Sequence, residues 1–523
     1  MSTPPLPGSE YRLHPLSWLF HCIGLLRQFL LPIVGLTVFG NRLSEKLALF
    51  EFGLPLLLLV LVVGGAVLTQ LSYRYTIGTG LLSVRSGLLE RQWREIPFAR
   101  IHNISVHQSL LHRLFGVAEL KLESTGGKKP EADMKVLPLA QALALEQLIR
   151  QQGRDNAACS PLAAPAGATA FQPADPPPLV RLRASELLRL GLLSNRGMIV
   201  VLAALGALKQ VIPDDSLKPL LRRQAARWVD EGQRQTLQQL DAVEWIGLGV
   251  MVVAVALLLT RLLSIALAIV QYAGFELRRQ GARLTQTRGL FSRHRASVGH
   301  HRLQAWTLRQ PLLYRWCGRL QIRVDIATGD STGNDRRGGF RELVPLLPVA
   351  QVDGLMRELA PALAWPVRAW NAVDPRQVWR PALPWLLGLP LACAVGQSQF
   401  GPLAWAGMAL YLPLGWRSWQ AIRFAAWFLD ERGVAIRGGA WQRWWRLAEL
   451  AKVQDLRLHR SPLDRLCGTA SLRLDTAGRT LGEPALVLPY LPLAQAQQLL
   501  EQLCARLSRP KAAQAAYQPA GPQ

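Results

Sequence analysis

Acidic side chains are scarce in this chain: 35 Asp and Glu face 60 Lys and Arg across 523 residues, a formal net charge of +25. In a water-soluble protein that imbalance would point to nucleic acid. Charge of either sign is also missing from long stretches, and this second absence changes the reading. Phe52 to Tyr73 has no charged residue in 22 positions, and Pro381 to Trp416 has none in 36. Trp245 to Thr260 and Leu262 to Phe275 are separated only by Arg261. A helix needs about 20 apolar residues to cross the hydrocarbon layer. These runs indicate a polytopic membrane protein, and they move the basic surplus from nucleic acid to the anionic leaflet.

Other absences narrow the chemistry. The six cysteines (Cys22, Cys159, Cys317, Cys393, Cys467, Cys504) form no CxxC and no disulfide framework. His300-His301 and His102/His107/His112 lack zinc spacing and recurring partners, so no metal site is expected. The loop TGDSTGNDRRGG at 328–339 has glycines but no GK[ST] ending to bring lysine onto phosphate and a hydroxyl onto magnesium. No GxSxG, HExxH or paired-carboxylate arrangement stands out. No catalytic residue, cofactor or enzymatic activity is expected. The N-terminal MSTPPLPGSEYR has neither the basic region nor the cleavage site of a signal peptide.

What the chain does contain is one unit written three times. HQSLLHRLFG (107–116), RQPLLYRWCG (309–318) and HRSPLDRLCG (459–468) are the clearest part of it. Gly87 aligns with Gly289 and Gly439, at constant offsets of 202 and 352 residues. Arg113, Arg315 and Arg465 align, as do the closing Gly116, Gly318 and Gly468. Lys121/Arg323/Arg473 and Glu123/Asp325/Asp475 keep charge sign in the alternating stretches that follow. Alternation with turn residues predicts short antiparallel strands. The repeated segment reads as a turn or short helix closed by a glycine with positive φ. Each copy ends in an amphipathic helix, such as LAQALALEQLIRQ. The recurring arginines are expected to make a structural salt bridge or carbonyl contact.

Apolar segments followed by strands, a basic glycine-centred hairpin, the Q-S-L-L-x-R-x-x-G-like segment and a terminal helix resemble the membrane-flanked bacterial PH-domain family. With three copies, the chain is similar to its YdbT-like branch. The first copy, RSGLLERQWREIPFARIHNISVHQSLLHRLFGVAELKLES, carries the resemblance best, whereas the second has VGHHRL in place of IPFARI. The resemblance implies an α+β membrane protein. Six transmembrane helices in three pairs would each precede a PH-like bent antiparallel β-sheet or barrel with a C-terminal helix.

The expected organisation is a tail at 1–15, a transmembrane pair at 16–71 and a PH-like domain at 72–151. A Pro/Ala-rich disordered linker at 152–180 leads to a second pair at 181–271, with an extracytoplasmic loop at 213–242. The second PH-like domain is 272–363, the third pair 364–428, the third PH-like domain 429–508 and the tail 509–523. Two crossings before each domain return the chain to one side. The loop 213–242 balances five basic against five acidic residues, whereas 272–363 carries fifteen arginines against seven acidic residues. Cytoplasmic domains and termini at a bacterial inner membrane follow from that bias. Each basic group near the surface contributes about 1 kcal/mol of attraction.

Arginine and tryptophan in the glycine hairpins are the candidate membrane-surface contacts: Arg91, Trp93 and Arg94; Arg293 and Arg295; Arg443, Trp444, Trp445 and Arg446. Arg261 is the candidate intramembrane charge. The expected role is a non-enzymatic scaffold for anionic lipid headgroups, a protein partner or self-association, with no nucleic acid. The resemblance adds an envelope role such as tolerance to membrane-active peptides. A transporter or channel with a polar path through the helices is the alternative.

Overall fold

The computed structural model describes residues 10–12, 14–15, 17–20, 60, 63–65, 67–68, 72–78, 80–86, 92–98, 101–124, 132–155, 177–211, 241–327, 340–478 and 482–507. The chain forms two compact units. The smaller comprises Val180–Glu276 and Thr287–Arg293, and the larger holds the remainder.

In the larger unit, the first repeat copy begins with β1 (Glu10–Arg12), inside the expected N-terminal tail. It continues through β2 (Arg74–Ile77), β3 (Leu81–Ser86) and β4 (Gln92–Pro97). These four pair in sequence order, with Glu10 opposite Thr76. Then come β5 (Ile101–Gln108), the short helix α1 (Leu110–Leu114), β6 (Val117–Ser124), β7 (Ala132–Pro138) and α2 (Leu139–Asp155). Alternation drives Leu82 and Val84 of β3, and Leu120 and Leu122 of β6, to the inner faces. Helix α2 adds Ala142, Leu145 and Ile149 at helical spacing, and all these side chains join one core. Each buried leucine contributes about 1.5–3 kcal/mol over its exposed state. The helix runs four residues past the expected domain end at 151.

The smaller unit contains β8 (Val180–Arg181), α3 (Ala184–Leu193), α4 (Arg196–Val211) and α5 (Ala242–Tyr272). Helices α3 and α4 are bent by 48° at their break. Their contact with α5 is made through small residues. A Cβ on Gly191 would lie 2.4 Å from the Ile265 Cα, and one on Gly197 only 2.2 Å from the Thr260 carbonyl oxygen. Close backbone approach of this kind is the usual contact between helices in lipid.

Two helices are long and apolar enough to cross a membrane, Ile246–Tyr272 and Pro375–Ser398, or three if the bent α3–α4 pair is one span. In each window only 11 % of the residues are buried within the protein. The expectation of six spans in pairs is therefore not met among the described residues. The first expected pair lies largely outside them. The third pair is irregular: α8 (Trp379–Phe400) is followed by a 3-10 stretch, Gly401–Leu410, and then by α9 (Tyr411–Phe424). At 14 residues, α9 covers only about 21 Å at 1.5 Å per residue, and it carries Arg417 and Arg423.

The second copy comprises β9 (Glu276–Gln280), β10 (Arg283–Arg288), β11 (Arg293–Gly299), β12 (Leu303–Gln310), α6 (Leu312–Trp316), β13 (Arg319–Ile326), β14 (Glu342–Pro348) and α7 (Val349–Leu359). The two-residue β15 (Asn371–Ala372) precedes α8. After α9 the third copy runs through β16 (Ala426–Leu429), β17 (Gly433–Gly438), β18 (Arg443–Glu449), β19 (Val453–His459), α10 (Pro462–Leu466), β20 (Thr469–Thr476), β21 (Leu486–Pro492) and α11 (Leu493–Leu507).

The closing glycines take φ of +65°, +61° and +66° at Gly116, Gly318 and Gly468. Their carbonyls accept the N–H of Leu139, Val349 and Leu493 at 3.0, 3.1 and 3.1 Å. One turn thus sets the start of the terminal helix in every copy.

Strand pairing crosses the copies. One sheet continues from the first copy into the second as β7-β6-β5-β11-β10-β9. Another joins the second to the third in the order β14-β13-β12-β18-β17-β16-β15, and β19-β20-β21 form a separate sheet. At the second crossing, antiparallel register sets Trp306 opposite Leu447 and Leu308 opposite Trp445. Each copy lends its own sheet edge to the next.

Candidate functional site

The repeated short helix is a socket. Its middle position is His112, Tyr314 and Asp464 in the three copies, all buried. In the third copy a Ser461–Asp464 capping box closes the helix start. Asp464 also accepts from Arg380 Nη1 at 2.5 Å and from the Thr469 hydroxyl at 3.0 Å. Burial alone would push the Asp464 carboxyl up. The hydrogen bonds from Ser461, Arg380 and Thr469 outweigh it and hold the group down at about 2. Arg380 lies in the first turn of α8, so this network ties the membrane-length helix to the third domain. In the first copy the Phe20 ring sits 4.1 Å from the His112 ring, at the end of the described segment 17–20. The Ser109 hydroxyl meets His112 Nδ1 at 2.5 Å. In the first and third copies, a side chain from the segment preceding the domain thus meets this repeat position.

Two residues beyond each socket, a large apolar side chain stands in the open. Leu114, Trp316 and Leu466 are 77 %, 78 % and 84 % exposed. Arg113 and Arg465, beside them, are exposed, and Arg315 is half-buried. All three arginines lie in the last turn of their helix, where cations suit the carbonyl end.

The hairpin residues separate into two groups. Trp93 is exposed, with the Arg85 guanidinium 4.4 Å from its ring. Arg94 is exposed and donates to Gln92 Oε1 at 3.0 Å. Arg293 is exposed and Arg295 half-buried. Arg91 and Gly87 lie outside the described residues. In the third copy, by contrast, the hairpin is used at the seam between domains. Arg443, Trp444 and Trp445 are half-buried. Arg446 is 1 % exposed, paired with Asp325 and donating to the Thr307 hydroxyl at 2.9 Å. The surface role expected for Arg446 is corrected: β18 pairs with β12, which turns that side chain into the seam. Beside it, Glu483 accepts from Arg309 at 2.7 Å and from Arg323 at 2.6 Å. The charge retained at 323 and 325 in the sequence thus serves the contact between copies.

One cluster in the larger unit has charge left over. Phe424, the last residue of α9, lies between two guanidiniums, with Arg443 at 4.5 Å and Arg437 at 5.1 Å from its ring. Arg437 also sits 4.7 Å over Trp370. Burial lowers the affinity of Arg443 for its proton, and the nearby charges of Arg315 and Arg437 lower it further. Burial acts the same way on Arg437. The Nε atoms of both are buried without an acceptor among the described residues. Three cations are gathered this way, two of them half-buried against aromatic rings, with no carboxylate beside them among the described residues. Sequence reasoning singled out Arg443 and Arg315 but missed Arg437, Phe424, Asp464, Arg380 and Glu483. Aligning 437 with its repeat equivalents, Arg85 and Thr287, would have shown an arginine at two of three copies.

Among the described residues no group of His, Cys, Asp and Glu could hold a metal ion. In the smaller unit, Arg261 is half-buried, and its Nη1 donates to the carbonyls of Leu192 and Ser194, each at 3.2 Å, and to Asn195 Oδ1 at 3.0 Å. It supplies donors to the backbone freed where α3 breaks. Arg196 donates to Gln271 and, at 2.8 Å, to the Tyr272 hydroxyl.

The profile of the Bacterial PH domain family matches residues 29–153, 235–363 and 385–507, well over half of the chain. The UPF0699 transmembrane protein YdbT of Bacillus subtilis (strain 168) is similar at 21 % identity over 366 residues, covering 67 % of this chain and 69 % of that protein. No solved structure matches.

Proposed function

Because the chain belongs to the bacterial PH-domain family, we propose that it is a non-catalytic, membrane-spanning platform that binds anionic phospholipid through Arg315, Arg437 and Arg443. The single observation that carries this reading is the cluster without carboxylate partners among the described residues, built on the last residue of α9. A phosphate there neutralises adjacent guanidiniums, and the flanking rings suit the headgroup level of a bilayer. The exposed Leu114, Trp316 and Leu466 support shallow insertion of the domains into the same leaflet. The apolar helices and the transmembrane relative support the membrane assignment. Arginine bias supports a cytoplasmic face at a bacterial inner membrane. A row of lipid-gripping domains suits an envelope role, including tolerance to membrane-active peptides. Arg261 does not favour a transport path, since its guanidinium is occupied in holding a broken helix.

The test is lipid retention by the detergent-extracted full chain. Replacing Arg315, Arg437 and Arg443 together by glutamine is expected to remove at least one co-purifying phosphatidylglycerol per chain, seen by native mass spectrometry, with an unchanged far-UV spectrum. Excess inorganic phosphate should not displace the lipid if acyl chains contribute to binding. Equal phosphatidylglycerol retention by the two proteins would sink the reading.

A further inference from the structure

Two seams between copies use the same strands: β5 with β11, then β12 with β18. Each joins the first strand of a copy's second sheet to the last strand of the following copy's first sheet. Continuing that rule leaves, among the described residues, one strand of each kind at the ends of the row. β4 closes the sheet β1-β2-β3-β4, and β19 begins the sheet β19-β20-β21. By repeat position, β4 is equivalent to β11 and β18, and β19 to β5 and β12. The end strands are also the wetter ones. β4 exposes its first four residues, whereas β18 exposes none of its seven.

We propose that these two edges are the halves of a third seam, made between molecules: β19 of one chain pairs antiparallel with β4 of a second copy. The occupant is argued from continuity with the internal seams and from side chains already in place. Transferring the β12–β18 register sets Leu458 opposite Trp93 and Arg457 opposite Arg94. Arg94 stands where Arg446 stands internally, and Asp475 where its buried partner Asp325 stands. Asp475 faces Asp455 across the third copy just as Asp325 faces Ala305 across the second. Asp455, 2.5 Å from Arg457, supplies the second carboxylate for the two opposed arginines. An open strand edge is a ready template for another strand. Because the two surfaces differ, the contact is head-to-tail and produces a closed ring or an open row. The same register brings Arg465 of one chain toward Arg85 of the next, the positions equivalent to Arg315 and Arg437. That consequence extends the lipid reading, but the strand pairing does not depend on it.

Two full-length chains with different tags test the seam in native membranes. One carries Trp93→Cys and the other Leu458→Cys, both in a background with all six native cysteines removed: Cys22, Cys159, Cys317, Cys467 and Cys504 by serine and the buried Cys393 by alanine. Oxidation is expected to give a disulfide-linked species bearing both tags, while Trp93→Cys alone yields no dimer. No mixed-tag species, or a dominant link between two Trp93→Cys chains, would overturn the proposal. Adding Arg94→Asp to the first chain, or Asp475→Arg to the second, should lower the mixed yield more than about tenfold. Combining the two reversals should restore it. Unchanged yield with either single reversal overturns the register.

Discussion

The two internal seams share one backbone arrangement and almost nothing else. Between the second and third copies, charge is buried: Arg446 meets Asp325, and Glu483 sits between Arg309 and Arg323. Between the first and second, Ala296 occupies the position of Arg446. There the His107 and His294 rings lie 4.2 Å apart, and His107 meets Glu119 at 3.1 Å. Hydrogen bonds between strands do not read side chains, so repetition conserves the pairing while the side chains diverge. What differs is how each seam fails. Removing one member of a buried ion pair strands the other, whereas losing a ring contact costs only the contact.

The sharpest way to break the comparison is at Asp325. Asp325→Ala leaves Arg446 buried and uncompensated, an expected loss of about 3–5 kcal/mol. Chemical denaturation of the full chain in detergent, followed by exchange protection of β12 and β18, reads it. Pairing Asp325→Leu with Arg446→Met should recover most of that loss, since burying a matched ion pair contributes little net stability. Failure of the double variant to recover would show that the pair does more than neutralise itself.

Acid should act on the other seam. Burial pushes the Glu119 carboxyl up, but hydrogen bonding from His107 and the charge of Lys121 outweigh it and hold the group at about 2. A carboxylate lowered in the folded state contributes stability that is complete above its unfolded value near 4.5. That contribution is lost as pH falls from there toward 2. The Asp464 socket loses its own contribution over the window from 3.8 to about 2. Exchange protection in β5 and α10 should therefore decline through this range in wild type. Glu119→Gln should flatten the response in β5 while leaving α10 unchanged. The smallest effect is expected from His107→Phe, which keeps a ring against His294. Even with the Glu119 hydrogen bond lost, the cost should stay near ~1 kcal/mol by thermal melting at neutral pH.

Much of the fold was legible without coordinates, and particular residues explain why. Gly116, Gly318 and Gly468 needed positive φ because each closes a turn of fixed length. The core face of α2 followed from 3.6-residue periodicity, and Ala142, Leu145 and Ile149 lie where that period puts them. The membrane runs announced themselves by composition. The hairpins were the weaker inference. An Arg-Trp strand carries one signal whether its far side meets lipid, water or another strand, so RWWRLAE could not reveal that β12 covers it. The sockets were hidden for a similar reason. Asp464 and Arg380 lie 84 residues apart, and nothing local to either marks the other.

By itself, the amino-acid order determined the repeating unit, its turns, its terminal helices and the apolar runs, because each depends on periodicity or on a single residue's backbone freedom. Tertiary structure decided which sheet edge each strand chose, which arginines were neutralised, and which were left in a cluster around Phe424. Those outcomes depend on proximity between residues up to 174 positions apart, as for Arg309 and Glu483. The partners of a charge or a strand edge are set by where the chain returns, and local pattern does not encode that.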